Sequence, residues 1–222
     1  MKKWLDEKID ITYKELFNLL LERNKDDADE DDSIITASAF NVVTDLYKVI
    51  NNKFPYEKLG SLSFVVGDAT RPINDGKKAL ICHICNDIGA WGKGFVLALS
   101  ERYPVTKQVY HKMMKENNNS ELGDIQIIHV DDLYVVNMIA QNGIYPKRNS
   151  EGETIPPIRY DALKTCLEEV ANFIISCTEP ITIHMPRIGC GLAGGTWDRV
   201  EEIVIDTLIK RGINVYVYDF EK

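Results

Sequence analysis

The chain has 222 residues, 45% of them hydrophobic, which suffices for one well-buried core with a small appendage and excludes a disordered chain or a miniature disulfide scaffold. Its 34 acidic against 26 basic side chains leave a formal net charge of -8, so the field of the whole molecule repels phosphate backbones and non-specific nucleic-acid binding is not expected. A small anionic ligand remains compatible with that charge, because backbone amides in a pocket act locally.

At the start of the chain, Lys2 and Lys3 are followed by Asp6, Glu7, Lys8 and Asp10, which interrupt what would be the apolar core of a signal peptide. The longest stretch without a charge, Leu133 to Pro146, contains Asn137, Gln141 and Asn142 and is shorter than the roughly 18 apolar residues of a membrane span. A cytoplasmic protein without a membrane partner is expected. Cys82, Cys85, Cys166, Cys177 and Cys190 are odd in number and scattered among apolar residues, which suits buried thiols in a reducing compartment.

From Asp10 to Asn24, Ile11, Leu16, Leu19 and Leu20 fall near helical spacing, with Asp10 as a cap. Six of the seven positions from Asp26 to Asp32 are acidic, the composition of a solvated linker. A helical pattern resumes over Ser33 to Phe54, so residues 1–58 read as a helical extension with an acidic linker. After Pro55 and Gly60, short apolar runs alternate with amphipathic ones, the mark of an α/β layer fold, and one domain is expected over 59–222. Strands are expected at Leu62 to Val66, Ala79 to Cys85, Ile125 to Val130, Tyr134 to Ala140, Ile181 to Met185 and Asn214 to Tyr218. Helices are expected at Gly94 to Arg102, Val105 to Glu116, Pro157 to Ser176 and Thr196 to Lys210.

The segment MPRIGCGLAGGTWD, Met185 to Asp198, carries the most chemistry. A strand runs into Gly189, Gly191, Gly194 and Gly195 before a helix, an arrangement in which backbone amides approach a ligand closely and the helix N-terminus favours an anion. Gly189, Gly191 and Gly194 also spell G-x-G-x-x-G with Asp219 downstream, which resembles a dinucleotide-binding fingerprint. That fingerprint opens the first βαβ unit of its fold, whereas only a single further strand follows here, so it is the lesser reading. A second glycine-rich loop, NDIGAWGKGF from Asn86 to Phe95, also joins a buried strand to a helix. Two such loops at the ends of parallel strands suit a ligand with a central diphosphate and a sugar at one end. Lys93 either adds charge there or points into solvent, and Trp91 either walls the sugar pocket or is a core aromatic. Cys82, His83 and Cys85 include zinc-ligand types, but positions three apart on a strand face opposite sides of the sheet, so no metal site is expected.

These segments resemble the macro domain family. VVGDATRP at Val65 to Pro72 looks like its adenine-binding strand end, ALICHICNDIGAWGKGF at Ala79 to Phe95 is similar to its distal-ribose loop, MPRIGCGLAGGTW matches its diphosphate loop, and VYDF at Val217 to Phe220 looks like its terminal strand. The motifs keep the family's order over Leu62 to Phe220. The resemblance implies a three-layer α/β/α sandwich around a mixed sheet, with an ADP-ribose cleft at the carboxyl ends of the central strands. Carried over by position, Asp68 accepts a hydrogen bond from the adenine amino group, with Ala69 beside it, or else caps the turn before Pro72. Tyr218 or Phe220 packs on the base, or points to the core.

The diphosphate would meet Ile188, Gly189, Cys190, Gly191, Leu192, Ala193 and Gly194. The terminal ribose would meet Gly89, Trp91, Gly92, Lys93, Gly94 and Phe95, and Gln141 either hydrogen-bonds it or is a polar strand end. Around GAWGKG and LALSERYP the chain is most similar to the branch containing the yeast ADP-ribose-1''-phosphate phosphatase and the terminal ADP-ribose protein glycohydrolase. The glycohydrolase's lysine and aspartate are replaced here by Gln141 and Ala193, and an amide forms no Schiff base with an opened ribose. His83, Asn86 and Asp87 remain as catalytic candidates: His83 as nucleophile, general acid or satisfied core histidine, Asn86 as an orienting group, Asp87 as a base. The resemblance thus implies a hydrolase acting on ADP-ribose-1''-phosphate or an ADP-ribosyl adduct, or a module that only binds ADP-ribose, free or on an ADP-ribosylated macromolecule, with no cofactor.

Overall fold

The computed structural model describes residues 59–116 and 121–220, and the extension expected over residues 1–58 lies outside them. The strands are β1 (Leu62–Val66), β2 (Lys78–Asn86), β3 (Ile125–Val130), β4 (Leu133–Gln141), β5 (Lys147–Arg148), β6 (Thr154–Ile155), β7 (Ile181–Pro186) and β8 (Val215–Asp219). The α-helices are α1 (Phe95–Arg102), α2 (Pro104–Glu116), α3 (Tyr160–Ser176) and α4 (Trp197–Thr207), the last followed by a 3₁₀ turn at Ile209–Arg211. Six strands form one sheet in the order β1-β8-β7-β2-β4-β3, parallel throughout except for β3, which turns back antiparallel on β4.

Central strands covered on both faces read as unbroken apolar runs rather than alternating ones. Accordingly β2 buries Leu80 to His83 in succession and β4 buries Val135 to Ala140, whereas edge strand β1 leaves Phe64 and Val66 exposed. Alternate side chains go to opposite faces. Leu80, Cys82, Val136, Met138, Ile183 and Met185 meet α3 and α4 on one side, while Ile81, Cys85, Val135 and Ile139 meet Leu99, Tyr103 and Tyr110 on the other. This is the expected three-layer arrangement, and it puts Cys82 and Cys85 in separate cores.

The six sheet strands lie within one residue of their expected bounds, and the departures occur where backbone groups are used elsewhere. Helix α3 begins at Tyr160 rather than Pro157, because the Ile158 amide donates to Ala193 O (3.1 Å) and that of Arg159 to Ala140 O (2.9 Å). The small β5–β6 hairpin was not anticipated. Its register pairs Lys147 with Ile155 and Arg148 with Thr154. Asn149 closes its tip, with Oδ1 accepting from the amides of Glu151 (3.0 Å) and Glu153 (2.8 Å).

The topology fixes where a ligand can sit. From β2 the chain continues to the β4 and β3 side of the sheet, and from β7 it continues to β8 on the other. Ligands of open α/β sheets bind outside the carboxyl ends of the strands at such a reversal. The two loops singled out for their glycines follow β2 and β7, the pair of strands that flank it.

Candidate functional site

Beside the reversal, the loop after β7 is shaped by two glycines whose φ angles are positive and whose surroundings exclude a side chain. Gly189 has φ 74°, and a Cβ there would lie 2.4 Å from Ile158 Cδ1; Gly194 has φ 73° and would meet Pro156 Cβ at 2.9 Å. Between them the chain is open: a Cβ on Gly191 meets nothing within 4 Å, and Leu192 is 66% exposed. Ile188 and Ala193 are buried, so only their backbone faces a ligand, and the half-buried Cys190 thiol is directed to Ile188 O (3.4 Å). The Gly195 and Gly194 amides close the turn on Gly189 O (2.8 Å) and Gly191 O (3.0 Å), and Thr196 N donates to Tyr160 Oη (3.0 Å) just before α4. Among the described residues the N–H groups of Gly191, Leu192 and Ala193 have no acceptor. A row of open amides beside a helix N-terminus suits an anion.

Facing it, the loop after β2 is braced by Asn86. Its Oδ1 accepts from the amides of Ala90 (2.9 Å) and Ile88 (3.2 Å), and its Nδ2 donates to Ala90 O (2.7 Å). Asn86 therefore shapes the loop. Gly89 and Gly94 have φ angles of 75° and 79°, Gly92 and Lys93 are exposed, and Phe95 is half-buried. A Cβ on Gly94 would lie 3.5 Å from Leu192 Cδ1, so the two glycine loops meet across the cleft. Trp91 is a core aromatic rather than a wall of the sugar pocket. Its Nε1 donates to Val96 O (3.1 Å) and its ring packs on His83 and Tyr110.

His83 is the clearest correction. It is 2% exposed, under α1 and α2, and cannot touch a ligand in the cleft. Asn137 donates its Nδ2 to Thr106 O (3.2 Å) and Gln126 Oε1 (3.1 Å), which turns its Oδ1 to accept from His83 Nε2 at 2.6 Å. The histidine is satisfied and neutral in the core.

Asp87, by contrast, lies at the cleft. Its two oxygens accept from Asn142 Nδ2 (2.6 Å) and the Gly143 amide (2.7 Å), fastening the loop after β2 to the loop after β4. Gln141 donates to Gly143 O (2.9 Å) within the same loop. Asn142, which the sequence reading did not single out, is thus part of the site; the Asn-Gly pair was its only local signal.

At the other end, β1 leads into the loop holding Asp68. Its Oδ1 accepts from Thr70 N (2.9 Å) and Thr70 Oγ1 (2.8 Å), so it caps the turn, while Oδ2 lies 3.7 Å from Arg71 Nε on a side chain 33% exposed. Ala69 is buried beneath it. Tyr218 does not pack on a base: it is 5% exposed, and its Oη accepts from Ile73 N (2.9 Å) and bonds His184 Nδ1 (2.9 Å). Tyr218 Oη and Thr182 Oγ1 (3.1 Å from Nε2) thus give both ring nitrogens of His184 a hydrogen-bond partner. Tyr218 and His184 are positioning residues for the loop. Phe220, just beyond β8, is 81% exposed. Asp219 is taken by a bidentate pair with Arg187 (2.6 and 2.8 Å), so it is not poised as the ribose-binding carboxylate of a dinucleotide fingerprint.

Two results follow from the buried network. Tyr218→Phe should lower the unfolding free energy by roughly 1–3 kcal/mol, because it leaves His184 Nδ1 buried without its hydrogen-bond partner, and hydrogen exchange at the Ile73 amide should accelerate. Burial pushes His83 and His184 down to about 4 from the ordinary 6.5. The unfolded chain then binds more protons than the folded one between those values, so stability is full above about pH 6.5 and falls as pH drops toward 4, by on the order of 3 kcal/mol per histidine. Urea midpoints measured across that window should decline, and His184→Gln should flatten the decline.

The family model described as "Macro domain" matches residues 82–204. The chain belongs to the macro domain family. Among relatives, mouse chromodomain-helicase-DNA-binding protein 1-like is 29% identical over 75% of this chain, and the match spans only 19% of that protein. The ADP-ribose 1''-phosphate phosphatase of Candida albicans is 26% identical over 70% of this chain and 99% of its own, in keeping with the branch expected from the sequence. Among solved structures, a protein of unknown function from Bacteroides thetaiotaomicron is 48% identical with a TM-score of 0.66, covering 72% of this chain and 98% of that one. A macrodomain protein from Streptomyces coelicolor is 41% identical with a TM-score of 0.59, covering 72% and 99%. No helix among the described residues of this macro domain is long and apolar enough to cross a membrane.

Proposed function

We propose that the macro domain cleft binds ADP-ribose or a derivative and hydrolyses a group from its terminal ribose, with ADP-ribose-1''-phosphate or an ADP-ribosyl adduct as the substrate class. The open amides of Gly191, Leu192 and Ala193 carry the reading. They sit midway along the strand order, with Asp68 after β1 on one side and Asp87 after β2 on the other. From β1 to β4 is four strand spacings, about 19 Å, room for adenosine, a diphosphate and a second sugar laid end to end. Asp68 Oδ2 and Phe220 take the adenine, the amides take the diphosphate, and the Asn86 to Phe95 loop takes the terminal ribose.

The chemistry falls to Asp87. Each of its oxygens accepts one hydrogen bond, which leaves lone pairs for a water molecule, so it serves as general base. For ADP-ribose-1''-phosphate, water adds to phosphorus as its proton passes to Asp87; the bond from phosphorus to the ribose oxygen breaks, that oxygen regains the proton, and ADP-ribose and phosphate leave. The relatives named as ADP-ribose 1''-phosphate phosphatases support this substrate class.

A binding-only module is the second reading, favoured by Gln141 and Ala193 standing where the glycohydrolase branch carries lysine and aspartate. The test is release of phosphate from ADP-ribose-1''-phosphate and of ADP-ribose from an ADP-ribosylated peptide. Turnover by wild type that falls roughly 100-fold or more in Asp87→Asn, with a much smaller loss in Gln141→Ala, supports the hydrolase. Binding without either product makes the macro domain a reader.

A further inference from the structure

At the terminal-ribose end of the cleft, two cations share one neutral oxygen. Lys147 Nζ donates to Asn142 Oδ1 (2.6 Å), and Arg159 Nη2 donates to the same atom (3.3 Å). The other end of that amide faces the Asp87 carboxylate through Nδ2 (2.6 Å). Charge on both sides fixes its orientation, because only Oδ1 can accept from the cations and only Nδ2 can donate to the carboxylate.

Each cation is held in place by something other than a counter-charge. Arg159 Nη1 donates to the carbonyls of Pro156 (2.6 Å), Pro157 (3.1 Å) and Ile158 (2.8 Å), so its guanidinium is anchored to the segment that also supports the diphosphate loop. Lys147 is delivered by the β5–β6 hairpin, whose tip Asn149 closes. Among the described residues neither cation has a carboxylate within ion-pair distance. Asp87, the acidic group nearest in the network, has its oxygens turned to Asn142 and Gly143. Like charges gathered without an anion repel one another, and an incoming anion relieves that repulsion.

The position limits which anion this is. Asn142 follows β4, and Asp87 follows the adjacent β2 on the loop assigned to the terminal ribose. We infer that Lys147 and Arg159, gathered by Asn142, form a subsite for a phosphate monoester carried on the terminal ribose, and so select a phosphorylated ADP-ribose over ADP-ribose itself. This inference rests on the ADP-ribose reading above. Lys147 supplies a point charge on an exposed stem, while Arg159 supplies a planar one anchored to backbone carbonyls.

The test is calorimetric titration of wild type, Lys147→Gln and Lys147→Arg with ADP-ribose, repeated with both ADP-ribose and ADP-ribose-1''-phosphate after Asp87→Asn is added to each so that the phosphorylated ligand is not turned over, at low and moderate salt; Arg159 is left intact because it braces the backbone. With Lys147 intact, the phosphorylated ligand should bind roughly tenfold more tightly. Lys147→Gln should lose most of that preference while keeping its affinity for ADP-ribose, Lys147→Arg should keep the preference, and added salt should reduce it. Equal affinity for the two ligands with Lys147 intact, or an undiminished preference in Lys147→Gln, overturns the inference while leaving the ADP-ribose reading intact. If wild type does not bind ADP-ribose and Asp87→Asn binds neither ligand, the ADP-ribose reading fails and the subsite with it.

Discussion

Gly191→Glu should abolish binding of ADP-ribose, with at least a 100-fold loss of affinity, about 3 kcal/mol or more, in a protein that unfolds at the wild-type temperature. The two halves of that expectation come from different observations. A Cβ on Gly191 meets no atom within 4 Å, and its φ is not in the region that requires glycine, so the folded loop accepts a side chain. The same residue supplies one of three neighbouring amides that have no acceptor among the described residues, and a carboxylate placed there opposes any phosphate approaching them. The same change at Gly189 or Gly194 would be uninformative, because both hold positive φ and a Cβ collides with Ile158 or Pro156. Undiminished affinity in folded Gly191→Glu removes the loop from the binding site.

The adenine end calls for a gentler substitution. Asp68 has two oxygens in different settings: Oδ1 caps the Thr70 turn, and Oδ2, 3.7 Å from Arg71 Nε, is the outward acceptor left for a base. Asp68→Asn keeps an oxygen for the turn and replaces the outward acceptor with a donor, which cannot accept from the adenine amino group. It should weaken ADP-ribose and ADP by roughly 1–3 kcal/mol each and leave ribose 5-phosphate unchanged. Asp68→Ala removes both functions and should cost more, with part of the loss falling on stability. Equal weakening of all three ligands by Asp68→Asn would mean that the residue shapes the loop and reads no base.

Much of the scaffold is legible in the sequence because its strands are short apolar runs and its helices carry spaced apolar faces. Both signals are local, as in α3, where Leu163, Cys166, Leu167, Val170 and Ile174 mark one buried stripe. The glycine loops are legible for a related reason: Gly189 and Gly194 hold conformations that other residues resist. Partners distant in the chain are not legible. Strand periodicity puts His83 on one face of β2 but does not say that Asn137, 54 positions away, meets it there. Tyr218 falls on a strand end beside the expected base, yet its hydroxyl is claimed by His184 and by the Ile73 amide, 145 positions earlier. Asp87 was legible as an acid in a loop, while its attachment to Asn142 depended on β2 and β4 becoming neighbours. The hairpin that brings Lys147 was hidden because two-residue strands carry no periodicity.

The measurement that bears most directly on the central claim is a calorimetric titration of the wild-type protein with ADP-ribose and, in parallel, with NAD. The loop from Asn86 to Phe95 meets Leu192 across the cleft, and on the proposed reading that loop is expected to accept a terminal ribose and to crowd a nicotinamide attached to it. Saturable one-to-one binding of ADP-ribose, with NAD bound more weakly, is the predicted result. Binding of NAD as tight as that of ADP-ribose, or no binding of ADP-ribose at all, would contradict it.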